Sequence, residues 1–161
     1  MSDNNSIRIE RVFNAPIDLI WQMWTHPTHY KNWYGPQGAT VPVAEMDVRV
    51  GGKRLVCMEM QTPKGAMKMW TTGEYIEISI NKRLVFTESM SDENGNIMSA
   101  SAMGMPEDFP TTTEVIVELE DLGGRTKMTM THKGMPDQGA SGGWNQAFTK
   151  MEAYIDTVIA K

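Results

Sequence analysis

Three histidines, a single cysteine and a few arginines on strand-like segments are the side chains of this 161-residue sequence best equipped for chemistry. His26 and His29 are three residues apart around a turn opened by Pro27, a spacing that can bring both imidazoles to one face. Two imidazoles are half of a metal site, but no third ligand of suitable spacing follows, and Cys57 is a lone thiol; no metal is expected. A Ser/His/Asp nucleophile would be supported by a Gly-x-Ser-x-Gly elbow, and the sequence has none. No Gly-x-Gly-x-x-Gly or phosphate-binding loop follows a predicted strand, so no nucleotide cofactor is expected either. Cys57 lies in the apolar run Leu55–Val56–Cys57–Met58 and reads as a buried, inert thiol. Arg11 alternates with Ile9 and Phe13 on what should be an inward face, where a guanidinium needs a carboxylate or several carbonyls. Its role stays open: a structural ion pair or a side chain reaching out at the sheet edge, or else a charge at a cavity rim that orients an acidic head group.

Binding chemistry has a stronger compositional signal. The chain carries 15 Met, and Met58, Met60, Met67, Met69, Met128 and Met130 fall in strand-like runs. Met is flexible and polarisable, so a Met-rich wall can accept apolar shapes without one fixed fit. The same residues could equally fill an ordinary core. With Trp33, Tyr34, Trp70, Trp144, Phe148 and Met151 they would form a pocket for a largely apolar small molecule, with Arg11, Tyr75 and His132 as polar anchors.

These residues must be positioned by a framework that the sequence spells out. Ser6 to Asn14 alternates as a strand. Ile17, Ile20, Trp21 and Trp24 then follow helical spacing after Pro16, and Pro27 can open a second short helix carrying Tyr30, Trp33 and Tyr34 before Gly35–Pro36. Strands are expected over Ala39–Val48, Lys53–Gln61, Ala66–Ile78, Arg83–Ser91, Thr113–Asp121 and Thr126–His132, with turns at Gly51–Gly52, Pro63–Gly65, Asn81–Lys82 and Gly123–Gly124. Trp144, Ala147, Phe148, Met151, Ile155, Val158 and Ile159 form one stripe over about four turns of helix. Gly139, Gly142 and Gly143 near its start permit close approach to the sheet, or serve as a linker. A helix after consecutive hairpins gives an α+β fold of one domain, residues 1–161. Residues 1–5 are expected to be disordered, and 92–112 to form a long loop.

The rest of the composition excludes whole classes. A net charge of −5 and scattered Lys and Arg argue against a nucleic-acid surface. No segment has the length of a membrane span, and the first residues lack the basic and apolar regions of a secretion signal. A cytoplasmic location is expected by elimination, and one cysteine suits a reducing compartment.

Several ordered motifs span nearly the whole chain. They are Arg11-x-Phe13-x-Ala15-Pro16, Trp21-x-x-Trp24-Thr25-x-Pro27, Trp33-Tyr34-Gly35-Pro36, Asp47-x-Arg49-x-Gly51-Gly52, Gly73-x-Tyr75-x-Glu77-Ile78, Arg83-Leu84-Val85-Phe86 and Gly142-Gly143-Trp144. Together they resemble the START-like (SRPBCC) superfamily, in the branch named for the activator of Hsp90 ATPase. The resemblance implies a helix-grip, Bet v 1-like fold: a curved antiparallel sheet around a long C-terminal helix, two short helices after the first strand, and an apolar cavity between sheet and helix. It makes Asp47 and Arg49 a structural lock beside the Gly pair. The leading expectation is a protein that binds a hydrophobic small molecule, whether lipid-like, aromatic or isoprenoid. An enzyme acting on an apolar substrate in that cavity comes second. A co-chaperone-like regulator of an ATPase comes third, and a homodimer through exposed aromatics or the Met-bearing loop is a further expectation.

Overall fold

The computed structural model describes residues 6–99, 101–103, 110–136 and 139–159. Expectations for residues 1–5 and for the middle of the long loop, 104–109, lie outside the described residues. Seven strands, β1 (Ser6–Phe13), β2 (Thr40–Met46), β3 (Lys53–Thr62), β4 (Gly65–Ser79), β5 (Arg83–Ser91), β6 (Thr112–Asp121) and β7 (Thr126–Lys133), form one antiparallel sheet in the order β1-β7-β6-β5-β4-β3-β2. Helices α1 (Ile17–Thr25) and α2 (Pro27–Tyr30) link β1 to β2, and α3 (Ala140–Ile159) closes the chain. This is the helix-grip arrangement.

Local chemistry explains the short helices. Pro16 is extended and caps α1, with its carbonyl accepting from the amides of Leu19 and Ile20. Asp18 in the first turn complements the positive helix end. His26 is forced out of helical geometry by the following proline, and Pro27 then starts α2. The second helix ends at Tyr30, earlier than the sequence suggests. Beyond it the chain tightens into turns, with Asn32 and Trp33 amides donating to carbonyls only three residues back. Trp33 is thereby drawn under α1, where its indole N–H donates to the Met23 carbonyl at 3.0 Å.

Two glycines are required by close approach. A Cβ on Gly52 would stand 1.9 Å from the Asp47 carbonyl oxygen, and one on Gly73 1.8 Å from that of Thr87. The Gly51–Gly52 turn is stitched to β4 through Gly51 N–H to Tyr75 O and Tyr75 N–H to Gly52 O, while Arg49 and Asp47 pair at 2.8 Å on the surface. Gly142 and Gly143 behave otherwise than expected: both lie inside α3, and a Cβ on either would meet nothing within 4 Å. They mark open space, not close contact.

The core is aromatic at one end. Trp24 sits among Tyr30, Trp33, Phe86 and Phe148, at ring-centroid distances of 4.8–6.4 Å. Its indole N–H points to the Met128 sulfur at 3.3 Å. Trp24, Trp33, Phe148, Met128, Met130 and Met151 are all buried here.

Candidate functional site

At the other end of α3 the interior is hollow. A cavity of about 280 Å³ lies between the first turns of α3, the segment Tyr34–Pro36 and the inner faces of β3, β4, β5 and β7. Strand alternation supplies its walls. Val56 and Met58 come from β3, Met69 and Thr71 from β4, Glu88 and Met90 from β5, and His132 from β7, with Met135 just beyond. From α3 come Ala140, Gly143, Trp144 and Ala147. Small residues at i, i+3 and i+7 keep the helix from filling the space it roofs. A lobe of about 150 Å³ continues past Glu88 towards Pro110, Thr111 and Thr113.

The segment from Tyr34 to Ala39 has no regular structure, and one lysine holds it. The Lys150 ammonium reaches from the middle of α3 to the carbonyls of Tyr34, Gly35 and Pro36 at 3.1–3.3 Å, and to that of Ala39 at 3.5 Å. Burial pulls its pKa below the ordinary lysine value.

A buried polar chain underlies the apolar walls. Arg54 on β3 and Glu88 on β5 are 2% and 8% exposed, and their charges meet at 3.3 Å across β4. Gly73 stands directly opposite Arg54 on the intervening strand, and its missing side chain leaves the guanidinium room to pass. The guanidinium lies 3.9 Å from the Phe86 ring centre, with Tyr30 and Tyr75 flanking it. Burial opposes its charge, yet Tyr30, Tyr75 and Glu88 more than offset that, and Arg54 stays a cation. The hydroxyls of Tyr30 and Tyr75 have no hydrogen-bond partner among the described residues, and burial raises the pKa of both.

His132 continues the chain. The Trp144 indole N–H donates to Nδ1 at 3.0 Å, and Nε2 lies 2.8 Å from Thr113 Oγ1. An indole can only donate, so Nδ1 is the acceptor and the neutral ring carries its proton on Nε2, donating to Thr113. Burial lowers the His132 pKa, with Glu88 working weakly the other way. Glu88 Oε1 stands 3.8 Å from Nε2, too far for a hydrogen bond. The imidazole is a satisfied, oriented group with neither nitrogen free for proton transfer.

Of the residues singled out from sequence, Tyr34, Met58, Met69, His132 and Trp144 line the cavity. Trp33, Tyr75, Met128, Met130, Phe148 and Met151 belong to the core beside it. Met60 shares the Met58 face nearer the β3–β4 turn, outside the lining. Trp70 alternates with Met69 and Thr71 and so faces the opposite side of the sheet, paired with Cys57. Arg11 binds the outer flank of α3 through Thr149 and Asn145, 3.8 Å from Glu152, and over the Phe148 ring. It is a structural tie between β1 and α3. Cys57 is buried, and burial raises its pKa. His29 Nδ1 contacts the Tyr154 hydroxyl at 2.6 Å beside His26, and no group of three or more potential metal ligands is present among the described residues. No described helix is long and apolar enough to cross a membrane.

Glu88, Thr71, Met90 and Ala147 were not singled out as site residues. Glu88 had a readable signal: it shares inward parity with Leu84, Phe86 and Met90, as Arg54 does with Val56 and Met58.

Comparison with known proteins places this architecture. No curated protein matches the sequence. Among solved structures, a protein of Nitrosomonas europaea is similar over 100% of both chains, with a TM-score of 0.77 and 22% identity. One of Arthrobacter aurescens matches at a TM-score of 0.74 and 25% identity, covering 98% of this chain and 89% of its own. A third, of Silicibacter pomeroyi, has a TM-score of 0.72 and 18% identity, over 94% of this chain and 98% of its own. These likenesses establish the fold. The family model described as Activator of Hsp90 ATPase homolog 1-like protein matches residues 14–156, which takes in every strand except β1, and helices α1, α2 and α3 almost to the end of α3. With a model match over that length and the helix-grip fold in place, this chain belongs to the Activator of Hsp90 ATPase homolog 1-like family.

Proposed function

We propose that this protein binds a small, mainly apolar molecule in the chamber between the sheet and the start of α3. One observation carries the reading: a concave space of about 280 Å³, walled almost wholly by apolar side chains, stands unfilled between the sheet and the small residues of α3. The lining supports it, because Met58, Met69, Met90 and Met135 can re-pack around different shapes while Trp144 and Tyr34 give flat apolar area. The volume suits a single short chain or one or two rings. Lipid-like, aromatic and isoprenoid molecules of that size all remain within the class. Binding is favoured over catalysis because His132 has both ring nitrogens engaged and Glu88 is held by Arg54.

Native mass spectrometry of the purified protein, with organic extraction of whatever it carries, is the first test. The expected result is an apolar adduct, or saturable quenching of tryptophan fluorescence by added apolar probes, lost in Gly143→Leu. That substitution projects a side chain into space where a Cβ meets nothing within 4 Å. Binding that survives unchanged in a folded Gly143→Leu protein would sink the chamber as the site.

A further inference from the structure

The polar face of the chamber is one-sided. Among the described residues the lining contains one charged side chain, Glu88, and the guanidinium that neutralises it lies behind it, outside the lining. Glu88 Oε2 accepts from Arg54, whereas Oε1 has no hydrogen-bond partner among the described residues. The carboxylate is 8% exposed, and it lies at the junction of the main chamber and its smaller lobe. His132 offers neither a free proton nor a free lone pair, since Trp144 and Thr113 take both nitrogens. The hydroxyls of Thr71 and Tyr34 can act either way. The Arg54–Glu88 pair therefore presents its negative end to a bound molecule.

From this geometry we infer that the molecule held in the chamber carries a hydrogen-bond-donating head, a hydroxyl or an ammonium, set against Glu88 Oε1, and that the chamber discriminates against carboxylates. The inference rests on the chamber being a binding site, as proposed above. The acidic head considered from the sequence required Arg11 at the rim, and Arg11 is instead bound to the flank of α3. A carboxylate beside Glu88 would bring two like charges together in a poorly solvated space, where screening is weak. The Tyr34 hydroxyl already registers that cost: burial first, and then Glu88, push its pKa well above the ordinary tyrosine value. A donor head gains a charge-assisted hydrogen bond at the same point.

The test compares three molecules with the same chain and different heads: 1-octanol, octylamine and octanoate. Each is titrated into the full-length protein at neutral pH and followed by calorimetry. The expected result is that octanol and octylamine each bind about tenfold or more tightly than octanoate. Octanoate binding as tightly as the better of the other two would overturn the head-group inference and leave the chamber reading intact. If none of the three binds, the chamber reading fails and takes this inference with it. A Glu88→Gln variant should bring octylamine and octanoate to within a few-fold of each other. Because that change strands Arg54, the paired Arg54→Gln, Glu88→Gln protein serves as a second variant. An undiminished preference in either variant, once folded, would also overturn the inference.

Discussion

The two ends of α3 meet the same sheet in opposite ways. Towards its C-terminal half, Phe148, Met151 and Ile155 are sealed into a core of fixed aromatic shapes, where Trp24 and Trp33 each have their N–H satisfied by a specific acceptor. Towards its N-terminal half the helix offers Ala140, Gly143 and Ala147, and the strands opposite offer methionines. Rigid aromatics with directed hydrogen bonds specify one packing. Small residues facing flexible thioethers specify a space without fixing its contents. One helix on one sheet can therefore hold the fold at one end and leave a chamber at the other.

The contrast is best broken with truncations. Trp24→Ala at the packed end should cost about 3–5 kcal/mol in chemical denaturation, whereas Met69→Ala at the hollow end should cost under about 1 kcal/mol, because its side chain already borders open space. Equal losses would mean that the two ends are packed alike. The polar chain between them comes next. Arg54→Met or Glu88→Leu alone should cost about 3–5 kcal/mol by stranding a buried charge, and the double variant should recover most of it. A double-mutant cycle with no recovery would show that the pair is not coupled.

A pH effect of intermediate size should arise at the boundary between the two regions. Burial holds the folded-state pKa of His132 below its ordinary value of 6.5. Below that value the unfolded chain binds the extra proton first. The contribution of His132 to stability is complete above about 6.5 and is lost as pH falls, by at most ~1.4 kcal/mol per pH unit. His29, lowered by burial and by His26, acts in the same direction. The denaturation midpoint should fall between pH 7 and 5, and His132→Gln should flatten the slope. The smallest effect expected is a gain: Gly143→Ala should stabilise the helix by about 0.5–1 kcal/mol, since it removes backbone freedom and meets no atom. A loss on thermal denaturation would mean that the roof is already tight against the sheet.

Periodicity and turn residues made the framework legible. The seven strands, the helix opened by Pro16 and the apolar stripe of α3 all follow from spacing. The end of α2 did not, because Trp33 is pulled out of helical register by a tertiary hydrogen bond to Met23 that local preference cannot encode. The location of the chamber was legible only in part. Period-two parity places Met58 and Met69 together and would have set Trp70 on the far face, had Trp70 been judged against its neighbours instead of by its ring. Glu88 could be found the same way, as a carboxylate on an inward face with Gly73 on the neighbouring strand and Arg54 on the one beyond. What spacing cannot give is the gap between helix and sheet, which is set by tertiary packing and not by local pattern.

Lys150 gives that gap a time course. Its ammonium fastens α3 at mid-length to four carbonyls of the Tyr34–Ala39 segment, so the helix is clamped at its centre and packed beyond it, while its first turns span the hollow. Amides of residues 143–147 should therefore exchange with solvent through small local openings, while those of 150–156 wait for larger ones. The residence time of a bound molecule is then expected to follow how often the start of the helix lifts, which makes departure a property of the roof as much as of the contacts beneath it.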